Sequence, residues 1–425
     1  MRTRLIGLGG ALMLMAGTAA AQDCTVTIGT VVSLTGPAGP YGQAAAKSIE
    51  LAFRDINAAG GVNVDGNTGC ALAMTLRDAQ SQGTVAADAA RQLVDIDGVP
   101  VIIGGIISSV SMPILTSVTA PSGVVQMSPA SSSPSFTTLA REGQTGGYWF
   151  RTITSDALQG TAAARYALDI GLDRVAIIHV NNDFGVNMVA EFRRIYEALG
   201  GTITSVTPYN ENQASYNPEV AAAMADEPQG LYLIAYPGDG ATIARTWIGQ
   251  GGPQVFLLND GMNSAEFINA VGAEYLNDTY GTSSGTTTTP STEYFASVYA
   301  DFTGGEFDHQ APAADRAYDA AAIVGLDIAR AGSTDSDAIR DSIRAVLDPA
   351  GEVIYAGQDQ FARALELIAA GQPIRYVGVI GPVQFDDNGD ITGPFRLWRV
   401  QDGEVVTTGE MSAEDVAAIM TGIDG

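Results

Sequence analysis

Apolar and polar residues along this chain follow a strand period and a helix period in turn, and the order repeats. Residues 25–32 form a β-branched apolar run, which suits a buried parallel strand. The stretch 44–59 then puts Ile49, Ala52, Phe53 and Ile56 on one helical face and stops at Gly60-Gly61. A strand over 71–77 and a helix over 84–97 follow, with Val85, Ala89, Leu93 and Ile96 in one stripe. Residues 99–107 read as a strand, and a helix leads on to 124–127, too short for anything but another strand. After Trp149-Phe150-Arg151 the order begins again. Helix 157–170 leads to strands at 174–180, 202–207, 231–236 and 255–258, with helices at 187–199, 219–226 and 240–249 between them. The twofold β-α-β-α-β-α-β order predicts an α/β protein of two lobes, each a parallel sheet flanked by helices.

The last third is less regular. Residues 279–290 are rich in Thr, Ser and Gly and read as a crossing between lobes. Helices are expected over 291–302, 313–331, 335–347 and 358–370. Apolar runs at 382–385 and 395–400 flank Asp386-Asp387-Asn388-Gly389-Asp390, and Asn-Gly between such runs predicts a hairpin. The expected lobes are 22–150 with 282–378, and 151–281 with 379–425.

In open parallel sheets, ligands bind beyond the carboxyl ends of the strands. The first repeat puts Tyr41, Ser108-Ser109 and Ala130-Ser131-Ser132 in those loops; the second puts Phe184, Tyr236 and Asp260 there. Ser108 or Ser109 can cap the helix that follows. Hydroxyls and free N–H groups at such loops accept an anion. If the lobes face each other, one wall offers hydroxyls and amides, the other aromatics and a carboxylate. That suits a small zwitterion, with its carboxylate on the serines and its ammonium on Asp260. Taken singly, each residue also has a packing role: Tyr41, Phe184 and Tyr236 as core aromatics, Asp260 as a cap for a helix from Asn263. Their recurrence at equivalent loops favours a site.

Composition narrows the setting. Arg2 and Arg4, the apolar run 5–15 and Ala19-Ala20-Ala21 read as a signal peptide cleaved after residue 21, so a periplasmic protein is expected. Asp23 before Cys24 argues against a lipid anchor. A chain of 425 residues is long for one core. It carries 47 Asp and Glu against 21 Lys and Arg, a net charge of −26, which argues against nucleic acid or an anionic membrane as partner. Cys24 and Cys70, an even count in an exported chain, are expected to form a disulfide. His179 and His309 have no metal-ligand spacing, so neither metal nor other cofactor is expected.

Several segments together resemble a known family. They are Leu34-Thr35-Gly36 with Tyr41-Gly42, Ile56-Asn57-Ala58-Ala59-Gly60-Gly61-Val62, Arg77-Asp78 and Ser128-Pro129-Ala130-Ser131-Ser132. Asp183-Phe184-Gly185, Tyr318-Asp319-Ala320 and Gly381-Pro382-Val383-Gln384-Phe385-Asp386 continue the series. The chain resembles the periplasmic leucine/isoleucine/valine-binding proteins, the type I solute-binding proteins of ABC importers. The resemblance implies two lobes joined by three crossings, a monomer that closes on an α-amino acid and hands it to membrane permease subunits. It assigns Ser108, Ser132 and the main chain near Ala130 to the ligand carboxylate, Asp260 to the ammonium, and Tyr41, Phe184 and Tyr236 to the walls. The branched-chain binders typically have Thr in place of Ser132, Tyr in place of Phe184 and Glu in place of Asp260. The family also holds receptors for amides, urea and aromatic acids, and the fold is reused in sensors that report to a regulator.

A hydrolase is the competing class. Gly281-Thr282-Ser283-Ser284-Gly285 fits the spelling of a nucleophile elbow, but threonines follow where a helix is required. Asp386–Asp390 has part of a calcium-loop pattern without its glycine or its final glutamate. No Gly-rich Lys-Ser/Thr phosphate loop is present.

Overall fold

The computed structural model describes residues 24–307 and 309–424. The proposed signal peptide lies outside the described residues. The first sheet contains β1 (Thr25–Val32), β2 (Val62–Val64), β3 (Asn67–Asp78), β4 (Val101–Gly104), β5 (Val125–Ser128) and β6 (Trp149–Arg151), in the order β2-β3-β1-β4-β5-β6. Its strands are parallel except for β2, which pairs antiparallel with β3. Val31, Ile102, Ile103 and Val125 are fully buried, as expected of strands covered on both faces.

The second sheet starts with β7 (Arg174–Val180), β8 (Thr202–Tyr209), β9 (Gly230–Ile234), β10 (Val255–Leu258) and β11 (Asp278–Ser284). A small third sheet holds β12 (Glu352–Ile354), β13 (Ile374–Gly378) and β14 (Gly381–Pro382). Then β15 (Phe395–Gln401) and β16 (Glu404–Met411) return to the second sheet, whose order is β16-β15-β11-β10-β9-β7-β8. The fold is the expected two-lobed α/β arrangement, with an antiparallel edge added by β15 and β16.

Four expectations need correcting. Residues 279–290 are not all linker, because 278–284 form β11 inside the second sheet. The small hydroxyls of Thr279 and Thr282 are fully buried there, so a composition typical of loops hides a core strand. Residues 282–284, expected with the first lobe, therefore end a strand of the second. Residues 381–382, expected with the second lobe, pair with β13 instead. The Asp386–Asp390 segment makes no hairpin, since β14 pairs with β13 and β15 with β11 and β16. The hairpin lies further on, between β15 and β16, where Asp402 and Gly403 both take positive φ.

Cys24 and Cys70 form a disulfide. Cys70 lies inside β3 rather than before it, because β3 begins at Asn67 after the short β2. The bond joins β3 to the start of β1, where the Ala71 N–H donates to the Cys24 carbonyl at 3.0 Å.

Candidate functional site

The carboxyl ends of the strands in both sheets open on one cavity of about 250 Å³. Tyr41, Ser108, Ala130, Ser132, Phe184, Tyr236 and Asp260 all line it; Ser109 and Ser131 do not. Ser131 is fully buried behind the loop, where its hydroxyl pairs with Ser111 Oγ at 2.6 Å and its N–H donates to Ser128 Oγ at 3.0 Å.

The two aromatic positions correspond. Tyr41 lies near the start of helix Gly39–Ala58, Phe184 near the start of helix Asp183–Ala198, and each is followed by a glycine. A Cβ on Gly42 would sit 2.0 Å from the Ser33 carbonyl oxygen, and one on Gly185 would sit 2.1 Å from that of Val180. Each helix thus starts pressed against the strand end below it, and no side chain larger than hydrogen fits at that contact. Both helices begin earlier than the periodicity indicates. In the second, the Asn182 side chain accepts from the Gly185 N–H at 3.1 Å and so caps the helix. Its Nδ2 donates to the Tyr236 hydroxyl at 3.2 Å, and Phe184 stacks on Tyr236 with ring centroids 5.9 Å apart.

On the opposite wall Ser108 does not cap its helix. It is the first residue of helix Ser108–Ile114, and its hydroxyl accepts from the Ser133 N–H at 3.2 Å. Arg151, fully buried, braces this serine loop from behind: Nη1 donates to the carbonyls of Ser131 and Ser133 at 3.2 and 2.9 Å. Nε of Arg151 pairs with Asp390 at 2.7 Å. The Asp386–Asp390 turn therefore supplies the counter-charge that holds the loop, a role its spelling does not reveal. Ser132 donates to Asp156 Oδ2 at 3.0 Å.

Asp260 follows β10 in a short 3-10 turn. The next helix, Ala265–Val271, is capped by Ser264 at 3.1 Å, which leaves the Asp260 carboxyl to the cavity. Burial pushes its pKa up, opposed by Asn259, the Gly261 N–H, Arg316 and Gln159. Asp156 is raised further, by burial first and then by the Asp260 charge, with Ser132 and Arg151 opposing. The two carboxyls thus disfavour each other's charge, which favours a proton on one of them.

Sequence reasoning missed Asp156, Asn259 and the far end of the cavity, where Ser283, Phe295, Asp315, Arg316 and Arg396 contribute. Phe295, Asp315 and Arg316 come from helices of the less regular last third and Arg396 from the antiparallel edge, where the repeated pattern carries no signal for them. Ser283 lies on β11, not on a strand-to-helix elbow. Among the described residues no cluster of three His, Cys, Asp or Glu is placed to hold a metal.

The family model for periplasmic binding proteins matches residues 25–404. The chain belongs to this family. Its relatives there include Leu/Ile/Val-binding proteins and a chemotactic substrate-binding protein. This binding protein is 25% identical to a Leu/Ile/Val-binding protein homologue from Brucella melitensis, over 92% of the chain and 95% of the relative. It is 26% identical to BasB of Halobacterium salinarum, a substrate-binding protein of a chemotactic signal transduction system, over 84% and 83% of the two chains. The crystal structure of the leucine-binding protein LivK of Thermotoga maritima superposes with a TM-score of 0.76, at 24% identity, covering 92% of this chain and 99% of that one. Membership implies a location outside the cytoplasm and a small-molecule ligand.

Proposed function

We propose that this binding protein captures a small α-amino acid between its lobes and delivers it to the permease of an ABC importer. The observation that carries the reading is the polarity of the cavity. Ser108, Ala130 and Ser132 stand with Tyr41 on one lobe, and Asp260 stands with Phe184 and Tyr236 on the other. A bound ammonium loses water as the lobes close and needs a carboxylate in return. Hydroxyls and N–H groups serve the carboxylate without adding a charge. In this reading residues 1–21 are the export signal and the mature protein acts as a monomer.

A thermal-shift screen across amino acids, amides and aromatic acids tests it, since ligand binding to the folded state raises the melting temperature. Stabilisation by an α-amino acid at micromolar concentration is expected. Stabilisation by benzoate or urea with none by any amino acid overturns it. The likeness to BasB favours a second reading, in which the same ligand is reported to a signalling partner. Pull-down by a permease or by a receptor domain separates the two.

A further inference from the structure

The far end of the cavity holds charge that an ordinary α-amino acid leaves unused. Arg396, on β15, lines it. Among the described residues its guanidinium makes no ion pair, and its Nε has one long contact, 3.4 Å to Ser283 Oγ. Acids are not scarce in this chain, with 47 Asp and Glu against 21 Lys and Arg, so the missing partner is not a matter of supply.

Next to it, Arg316 is almost completely buried. Its Nη1 meets both oxygens of Asp315, at 2.9 and 2.8 Å, and Nη2 donates to the Ser284 carbonyl at 2.8 Å. Its Nε is buried without a partner. Asp315 pairs with Arg316, so the two arginines share one adjacent carboxylate and several N–H donors stay idle. The Arg396 guanidinium is half-buried with most of its N–H donors unused, and its planar fork matches a carboxylate. Burial first and repulsion from Arg316 second lower the pKa of Arg396, with the Asp315 charge opposing, and an anion would relieve both.

We propose that Arg396, beside Arg316, forms an anion subsite, and that the ligand is an amino acid whose side chain ends in a negatively charged group. The inference rests on the α-amino acid reading above and adds the side chain. Asp260 takes the ammonium, the serine wall the α-carboxylate, and Arg396 the terminal anion. Ile106, Ile153 and Phe295 line the same cavity and offer apolar surface for the methylenes.

Calorimetry with L-glutamate, L-glutamine, L-leucine and glutarate at one ionic strength tests it. Glutamate is expected to bind at least tenfold tighter than glutamine or leucine. In Arg396→Gln the glutamate-to-glutamine preference is expected to fall at least tenfold, and in Arg396→Lys by less. Glutamine or leucine binding as tightly as glutamate in the native protein overturns the subsite and leaves the amino-acid reading standing. Glutarate binding that Arg396→Gln abolishes, with no amino acid bound, supports the subsite and overturns the amino-acid reading. No binding of any of the four overturns the proposal. If Arg396→Gln does not fold, the glutamate-to-glutamine ratio of the native protein decides alone.

Discussion

The hydroxyl of Tyr41 donates to the carbonyl oxygen of Gly261, tying the first lobe to the second across 220 residues of sequence. Other bonds cross at the same rim. Ser135 Oγ donates to Asp183 at 3.2 Å, and Asn187 Nδ2 reaches Ser133 Oγ at 3.3 Å. The cavity is therefore walled by both lobes at once, and its closure rests on a few polar contacts. Hinged closure around a ligand draws on such contacts, each modest in net strength.

Tyr41→Phe keeps the ring and removes the lobe-to-lobe bond. Its cost to ligand affinity should be about 0.5–1.5 kcal/mol, the net value of one hydrogen bond. Calorimetry should show the loss, with faster ligand release in stopped-flow traces. Unchanged affinity and release would mean that this contact does not hold the closed form.

Asp260→Asn tests the ammonium assignment. It retains shape and a hydrogen-bonding oxygen but loses the charge. For an α-amino acid the loss should be about 2–5 kcal/mol, as for removing one side of a buried charge pair. For a ligand without an ammonium group, affinity should hold or improve. An α-amino acid that binds both proteins equally well removes Asp260 from this role.

The wall residues were legible because they sit where periodicity breaks. Tyr41, Phe184, Tyr236 and Asp260 each follow an apolar run that only a strand explains, and parallel sheets gather such positions at one edge. Ser109 and Ser131 read the same way but turn aside, since neighbouring residues of a tight loop point in different directions. Arg316 and Arg396 were invisible for another reason. They come from helix Ala314–Ala331 and from β15, elements separated by a crossing and by the small third sheet. Nothing local to either residue says that the two meet. The Asp386–Asp390 turn was misread because an Asn-Gly turn signal is blind to a partner such as Arg151, 239 residues away from Asp390.

The Cys24–Cys70 bond should be present in protein isolated without reductant, with no free thiol by mass spectrometry. It closes a loop with a sequence separation of 46. Replacing both cysteines with serine should lower stability by about 2–4 kcal/mol, measured by urea unfolding. Little change in the midpoint would mean that β1 and β3 hold together without it.

The stability of this protein should fall as pH rises from 5 to 8. Burial raises the pKa of Asp156, Asp260, Asp327 and Glu211. Asp319 is pushed up to about 7 by burial, although Tyr376 and the N–H groups of Val379 and Ile380 donate to it. Each of these groups binds its proton more tightly folded than unfolded. Their contribution is therefore complete below about pH 4, where an unfolded carboxyl also holds its proton, and is lost as pH rises through each raised folded pKa, about 7 for Asp319. Asp65, Asp78 and Asp415 are shifted down by hydrogen bonds. Their contribution disappears only as pH drops below about 4, outside this window. Repulsion among the excess acids acts in the same direction as the buried groups. The melting temperature at pH 8 should lie at least about 2–4 °C below that at pH 5. Asp327 sharpens the test. Ser342 donates to its Oδ1, and its Oδ2 is buried without a partner, so Asp327→Asn imitates the protonated acid. That variant should flatten the pH profile and melt higher than the native protein at pH 8. A melting temperature that climbs steadily from pH 5 to 8 would mean that these carboxyls fold in their charged form.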